Sequence, residues 1–205
     1  AEVSPTMRLI DILSPKAISV ELTARTKKEV LEEMCGLLHQ AGKLPDAKEM
    51  VKTLMDREAL GSTGIGQGVA IPHGKTAGVS EQAAALGISK RGVDFEALDG
   101  EPVHIVFLLT APVDAAGNHL KALAKVSRLL KDKFFRQALR DAKAVEAVAI
   151  AIAVTEAVNV GHKVMAEVSN SQSLGVLLYT EYLYPVQIAA IILLVALIAA
   201  IALTL

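Results

Sequence analysis

Apolar residues recur at helical spacing in two segments near the start of the chain and alternate with polar residues in a third. Residues 26–42 and 45–61 show the helical spacing, with Gly42 and Gly61 at their carboxyl ends. Residues 17–22 alternate between apolar and polar side chains, which indicates a strand. Two helices after a strand favour a layered α/β domain.

The pattern continues through four further segments. Residues 83–89 are strand-like, and 103–112 are almost entirely apolar, which predicts a central strand that is buried on both faces. An amphipathic helix is expected over 118–132 with Asn118 as its N-cap, and another over 133–142. The fold class that this order predicts is α/β, with helices packed on a sheet.

The last part of the chain has a different composition. No Lys or Arg follows Lys163, and residues 185–205 are 21 residues without a charge. At 1.5 Å per residue they span about 30 Å, the hydrocarbon thickness of a bilayer. We therefore expect a C-terminal transmembrane helix here, with the preceding Tyr179, Tyr182 and Tyr184 at the interface. A fully buried helix of a soluble core is the alternative.

Charge and cysteine content narrow the class of protein. With 21 basic and 22 acidic residues the net charge is −1, so no electrostatic footprint for nucleic acid is present. The single cysteine, Cys35, excludes an intrachain disulfide and fits a reducing compartment. Its apolar helical setting favours a buried side chain over a reactive thiol.

A glycine-rich loop precedes His73, within the segment LGSTGIGQGVAIPHGKT. The Walker pattern fails because Val69 holds the place of its first glycine, and the dinucleotide pattern fails in spacing. A run of backbone N–H groups suits an anion, and a neutral imidazole is a nucleophile. His73 is therefore the candidate carrier of a phosphoryl group.

The groups expected around that phosphoryl group come from the loop and from two helices. We expect Thr63, Gly64, Gly66 and Gly74 to bind the phosphate. Arg57, on the helix that leads into the loop, is the candidate cation, with Lys75 as a second. His119 opens a helix, where the dipole disfavours a protonated ring. The same pattern also fits two structural alternatives. Arg57 would then be a surface residue paired with Asp56 or Glu58, and His119 would be an ordinary helical residue.

No cluster of acidic residues at metal spacing accompanies the loop, so we expect neither a metal nor a cofactor. Among the other histidines, His104 lies within a predicted strand, and this position favours a structural, hydrogen-bonded role. His39 lies near a helix end, and His162 carries no pattern.

The segment REALGSTGIGQGVAIPHGK resembles the active-site segment of the type-2 enzyme IIA domains of the bacterial phosphotransferase system, closest to the nitrogen-regulatory branch. The resemblance covers about residues 7–150 and implies a mixed β-sheet flanked by helices. It implies phosphorylation of His73, stabilisation by Arg57 and a second active-site histidine at His119. It also implies a phosphocarrier protein as donor and a regulatory output rather than sugar uptake.

Residues 171–205 resemble something else, the C-terminal end of subunit J of NADH-quinone oxidoreductase, respiratory complex I. The expected organisation is a phosphoryl-carrier domain at 1–150, a connector at 151–184 and a membrane helix at 185–205, joined near 145–155. The positive-inside tendency places the first domain in the cytoplasm.

Two rivals remain on the sequence alone. One is a J-like membrane subunit with a replaced front, whose partners would be other complex I subunits. The other is a domain that binds partners without carrying phosphate.

Overall fold

The computed structural model describes residues 8–167, which fold into a sheet with helices on both faces. In chain order the elements are α1 (Leu9–Ile12), β1 (Leu13–Ser19), α2 (Lys27–Gln40), α3 (Ala47–Glu58), β2 (Gly64–Gly66), β3 (Val69–Ala70), β4 (His73–Lys75), β5 (Ala83–Val93), β6 (Val103–Ala111), α4 (Ala116–Lys131), α5 (Lys133–Asp141) and α6 (Val145–Glu167).

The six strands form one mixed sheet in the order β1-β5-β6-β3-β2, and β4 also pairs with β6. Strand β5 runs antiparallel to β6, whereas β3 and β4 run parallel to β6 one after the other along its other side. Strand β6 is therefore central, as its apolar sequence predicts, and β4 lies at an open edge. The expected mixed sheet flanked by helices is confirmed.

Side chains of β6 enter two separate cores. Ile105, Phe107 and Leu109 belong to the core formed with α1, α4, α5 and the start of α6. Val106 and Leu108 belong to the core formed with α2 and α3. Burial on both faces explains why this strand is apolar throughout instead of alternating.

The predicted helices α2 and α3 are present, and side chains at their amino ends fix where they begin. Thr26 accepts a hydrogen bond from the backbone of Glu29, whose carboxylate accepts one from the Thr26 N–H. Asp46 caps α3 through the N–H groups of Lys48 and Glu49. Gly42 follows α2 with a φ of 71°, a conformation that glycine adopts without steric cost.

Several element boundaries differ from those predicted; β5, for example, runs to Val93 and not to residue 89. Strand β1 begins at Leu13, because its pairing with β5, rather than its own alternation, sets its length. Helix α4 begins at Ala116 with Ala115 at the N-cap, so Asn118 lies inside the first turn and is not the cap. A turn in which the Ala115 N–H donates to the Pro112 carbonyl starts the helix early.

Cys35 is fully buried in the core beside α3, as predicted. Burial raises the pKa of its thiol to about 12, so the side chain is a neutral apolar group at physiological pH.

Helix α6 runs without a break from Val145 to Glu167, through the boundary expected at residue 150. Val148 and Ile152 are buried in the sheet core. The Glu156 carboxylate accepts the Leu9 N–H at 2.9 Å and lies 2.5 Å from the Lys125 ammonium. The first structural unit of the chain accordingly ends at Glu156.

Within residues 8–167, none of the helices combines the length and apolar composition that crossing a membrane requires. The expected span at 185–205 lies outside the described residues, as does the second half of the expected connector, residues 168–184.

Candidate functional site

A cleft of about 390 Å³ opens at the sheet edge formed by β4, between α3 from one helical layer and α4 from the other. Four of the predicted site residues come together there with the second candidate cation and with three residues that were not predicted. The lining residues are Thr53, Arg57, His73, Gly74, Lys75, His119, Leu120 and Leu123.

His73 opens strand β4 and is half-buried. Strand β3 ends before Pro72 and β4 begins after it, since Pro72 has no N–H to continue the ladder. The Nδ1 atom of His73 lies 2.8 Å from the carbonyl oxygen of Ile71. A carbonyl only accepts hydrogen bonds, so Nδ1 carries the proton and donates. The Nε2 atom of the neutral ring therefore keeps its lone pair for nucleophilic attack.

His119 lies in the first turn of α4, with its ring centroid 5.8 Å from that of His73 and the ring planes tilted by 49°. The residue is only 4% exposed, and its Nδ1 has no hydrogen-bond partner among the described residues. Burial lowers the pKa of His119, and electrostatic interaction with His73 and Lys75 adds to the effect. The neutral form expected from the helix position is favoured, with burial as the main cause.

Arg57 lies in the last turn of α3, and its Nη1 donates to the carbonyl oxygen of Gly61 at 3.0 Å. The surface pairing considered for it is absent within residues 8–167, because Glu58 pairs with Lys27 instead. Its guanidinium is bound to a neutral carbonyl and lines the cleft, so its positive charge and remaining N–H groups are available to an anion.

Gly74 lines the cleft because α3 passes very close to β4. A Cβ atom added there would lie 2.8 Å from Met50 Cε and 3.3 Å from Thr53 Cγ2. The missing side chain therefore allows the strand that carries His73 to pack beside the helix that carries Arg57.

The structure does not bring Thr63 into the cleft. Its N–H and hydroxyl groups both donate to the carboxylate of Glu58, and the residue is buried. Gly64 and Gly66 also lie elsewhere, in strand β2, where a Cβ on Gly64 would meet Ala97 at 2.8 Å.

A second backbone donor of the glycine loop is also bound to a carboxylate. The Gln67 N–H donates to the carboxylate of Asp99 at 2.7 Å. The loop is N–H-rich as the sequence indicates, but carboxylates of the chain itself occupy these donors.

Thr53, Leu120 and Leu123 belong to the cleft but were not predicted. Thr53 precedes Arg57 by four residues on one helix, and Leu123 follows His119 by four on another. Residues four apart share a helix face, so this spacing was the available signal. Leu120 is 67% exposed, which leaves an apolar side chain at the mouth of a polar cleft.

The remaining histidines with described side chains have structural partners. The Nδ1 atom of His104 lies 2.9 Å from the Ser89 carbonyl, which agrees with the structural role expected for it. The exposed His39 contacts the Leu44 carbonyl at 2.8 Å near the end of α2. In the described part of the chain, no group of three or more His, Cys, Asp or Glu side chains could hold a metal ion.

Comparison with known proteins identifies relatives over the same part of the chain. Residues 11–154 match the family model described as phosphoenolpyruvate-dependent sugar phosphotransferase system, EIIA 2. A nitrogen regulatory protein of Bradyrhizobium diazoefficiens is 39% identical over 144 residues, covering 69% of this chain and 92% of that protein. The fructose-specific EIIABC component of Bacillus subtilis is 41% identical over 142 residues, covering 69% of this chain but only 22% of that protein.

A solved structure agrees with the sequence relatives. The crystal structure of nitrogen regulatory protein IIA-Ntr from Neisseria meningitidis superposes with a TM-score of 0.65 at 37% identity, covering 69% of this chain and 97% of that one.

A second family model, NADH-ubiquinone/plastoquinone oxidoreductase chain 6, matches residues 123–203. The two matches overlap at residues 123–154. In this overlap Val126, Leu130, Leu139 and Val148 are buried in the core beside the sheet. The overlap therefore belongs structurally to the α/β fold.

Proposed function

This chain belongs to the EIIA 2 family of the phosphoenolpyruvate-dependent sugar phosphotransferase system, and we propose that His73 carries its phosphoryl group. Members of this family are phosphotransferase components that act through a phosphohistidine. The observation that carries the assignment is the His73 ring itself, whose Nδ1 donates to the Ile71 carbonyl and leaves Nε2 unprotonated.

In the proposed step, Nε2 of His73 attacks the phosphorus of a phosphohistidine on the donor protein. The new N–P bond forms as the donor's N–P bond breaks, and the electron pair of that bond returns to the donor ring. The His73 ring gains positive charge, which strengthens the hydrogen bond from Nδ1 to the Ile71 carbonyl.

Arg57 stabilises the phosphoryl oxygens during transfer. A guanidinium presents two parallel N–H donors to such oxygens, and that of Arg57 lines the cleft without a carboxylate partner among residues 8–167. Positive charge placed where negative charge develops is a large term in group transfer.

His119 assists without accepting the group in the stable product. Its neutral ring lies beside His73 and has a nitrogen atom without a partner among the described residues. A neutral imidazole can donate one hydrogen bond to a phosphoryl oxygen as that oxygen arrives. Gly74 contributes by permitting the close packing of β4 and α3, whereas Thr63, Gly64 and Gly66 act through the loop structure.

The donor is a phosphocarrier protein of the same system, and the output is regulatory. The match extends over 92% of the Bradyrhizobium nitrogen regulatory protein but about a fifth of the fructose-specific component. The exposed Leu120 at the mouth of the cleft provides an apolar contact for a docking protein.

A second part of the proposal concerns the tail. Residues 185–205 form a membrane-spanning helix that holds the carrier domain on the cytoplasmic side. The support is the run of 21 uncharged residues and the oxidoreductase chain 6 match over residues 123–203. The same match supports contact of the tail with other complex I subunits.

Reconstitution tests the carrier function. The chain is incubated with phosphoenolpyruvate, enzyme I and the phosphocarrier protein, and acid-labile phosphate is measured on the wild type and on His73→Ala. His104→Ala is the matched control, since that histidine is hydrogen-bonded within the sheet. The proposal expects labelling of the wild type and the control only, and labelling of His73→Ala would overturn it.

Membrane fractionation tests the tail. The full chain and a chain ending at Glu167 are expressed in bacteria, and their membranes are washed with high salt and then extracted with detergent. We expect the full chain to need detergent and the shortened chain to be absent from membranes. Salt release of the full chain would contradict the span.

A further inference from the structure

We infer that Glu58, the buried carboxylate next to Arg57 in sequence, is a positioning residue for phosphoryl transfer. It fixes the loop whose Gly61 carbonyl holds the Arg57 guanidinium. The inference rests on the proposed function of His73 and Arg57 and adds a residue that does not line the cleft.

Glu58 is the last residue of α3 and only 7% exposed. Each of its carboxylate oxygens accepts the Thr63 N–H at 3.2 Å, and one also accepts the Thr63 hydroxyl. The Lys27 ammonium lies 3.4 Å away. A carboxylate is rarely buried unless it is paired and hydrogen-bonded, and here most of its bonds go to one residue across a short loop.

The loop between Glu58 and Thr63 carries the carbonyl that Arg57 uses. The Gly61 N–H donates to the backbone oxygen of Glu58 at 3.0 Å, and the Gly61 carbonyl accepts from Arg57 Nη1 at 3.0 Å. Gly61 has a φ of 145°, so the chain turns sharply at this point. The Glu58–Thr63 bonds close the base of this loop and thereby set where the guanidinium is held.

Lys27 binds a second carboxylate, and that carboxylate provides a matched control for the charge of Glu58. Its ammonium also lies 2.7 Å from the carboxylate of Glu96, and 5.2 Å from the centroid of the Phe95 ring. The Glu96 side chain is 79% exposed and bonds no part of the loop that holds Arg57. Glu58 and Glu96 therefore share a lysine, but only Glu58 is tied to that loop.

The test is a double-mutant cycle on the single-turnover rate of transfer from the phosphorylated carrier protein to the full chain. Glu58→Gln and Glu96→Gln are each made with Arg57 present and with Arg57→Ala. With Arg57 present, we expect Glu58→Gln to slow transfer about tenfold or more, because misplacing a transfer group by about 1 Å costs up to about 100-fold. The donor concentration that gives half the maximal rate should stay the same.

With Arg57→Ala, Glu58→Gln should slow transfer no further, because its effect runs through the arginine. Glu96→Gln should stay within about twofold in both backgrounds, as expected for an exposed ion pair. Thr63→Val keeps the carboxylate of Glu58 and removes the hydroxyl that donates to it, so we expect the same rates as for Glu58→Gln. This variant provides the test if Glu58→Gln does not fold.

Three results would overturn the inference. They are an equal slowing in both backgrounds, which makes Glu58 or Thr63 independent of Arg57; no slowing with Arg57 present; and a rise in the half-saturating donor concentration at an unchanged maximal rate. Failure of the wild type to take any phosphoryl group would instead overturn the proposed function, and this inference with it.

Discussion

The rings of His73 and His119 lie 5.8 Å apart between centroids, although 46 residues separate them in the chain. Strand β4 carries the first, and the first turn of α4 carries the second. Both strand and helix adjoin the end of β6, which pairs with β4 and leads through a short turn into α4. The central strand therefore brings the two histidines together.

The depressed pKa of His119 makes stability depend on pH. The unfolded chain binds a proton near pH 6.5, whereas the folded chain resists protonation at this buried ring. The stabilisation is therefore complete above pH 6.5 and falls as pH decreases towards the lower folded pKa. We expect His119→Gln to reduce this loss, as measured by urea unfolding between about pH 5 and 7.5. An unchanged pH profile would show that His119 titrates normally in the folded protein.

Phosphorylation of His73 should raise the pKa of His119, which burial lowers in the free protein. A phosphoryl group on the neighbouring His73 places negative charge beside His119 and favours its protonated form. NMR titration of the His119 ring should give a higher pKa in the phosphorylated chain than in the free one. An equal or lower pKa would mean that the phosphoryl group does not lie beside this ring.

Removal of the Arg57 guanidinium should slow transfer strongly without unfolding the chain. The loss of such a charge-assisted partner typically costs about 2.7–4 kcal/mol, or about 100- to 1000-fold in rate. Arg57→Lys should recover only part of the lost transfer rate, because an ammonium lacks the planar pair of donors. Arg128→Ala, which removes an exposed arginine of α4, is the control for the single-turnover rate. A transfer rate that falls by less than about threefold in Arg57→Ala would show that Arg57 is a surface residue that does not stabilise the phosphoryl group.

Gly74→Ala should destabilise the fold and move His73. The added methyl group would sit 2.8 Å from Met50 Cε and 3.3 Å from Thr53 Cγ2. Because the Met50 end is flexible but buried, we expect a cost near the lower end of the range for overpacking, about 1 kcal/mol. Gly36→Ala is the matched control, since nothing lies within 4 Å of a Cβ there and the position is helical. That control should gain about 0.5–1 kcal/mol in the free energy of unfolding. Equal effects of the two substitutions would contradict the close packing of β4 and α3.

The carrier domain should need residues beyond 150. A chain ending at residue 150 lacks Ile152, which is buried, and Glu156, which bonds Leu9 and Lys125. Burial of one such apolar side chain is worth about 1.5–3 kcal/mol. Thermal unfolding should therefore show a lower midpoint for that chain than for one ending at Glu167. Identical midpoints would place the boundary at 150 after all.

The sequence predicts the fold where one side chain decides the outcome. The predicted helical segments 26–42 and 45–61 begin at or beside the capping residues Thr26 and Asp46, and the apolar run of β6 marks the central strand. It fails at α4, because Ala115 caps that helix without a side-chain hydrogen bond and leaves no local signal. It also fails at β1, whose ends depend on pairing with a strand far along the chain.

The site, like the fold, could be predicted only in part. His73, Arg57 and His119 follow from the glycine motif and the family resemblance, and all three line one cleft. The use of the loop donors could not be predicted, because an N–H group binds an internal carboxylate as readily as a phosphate. The partner of Gln67 is Asp99, 32 residues away, and nothing in the loop sequence indicates it.

Identification of the nitrogen atom that bears the phosphoryl group tests most directly whether His73 is the carrier. The chain, labelled with ¹⁵N in its histidine rings, is phosphorylated through the carrier protein and studied by ³¹P and ¹⁵N NMR at alkaline pH, where phosphohistidine persists. The geometry at Ile71 predicts one phosphoryl group on Nε2 of His73, with Nδ1 still bonded to the carbonyl. A phosphoryl group on Nδ1 of His73, or on His119, would contradict the account.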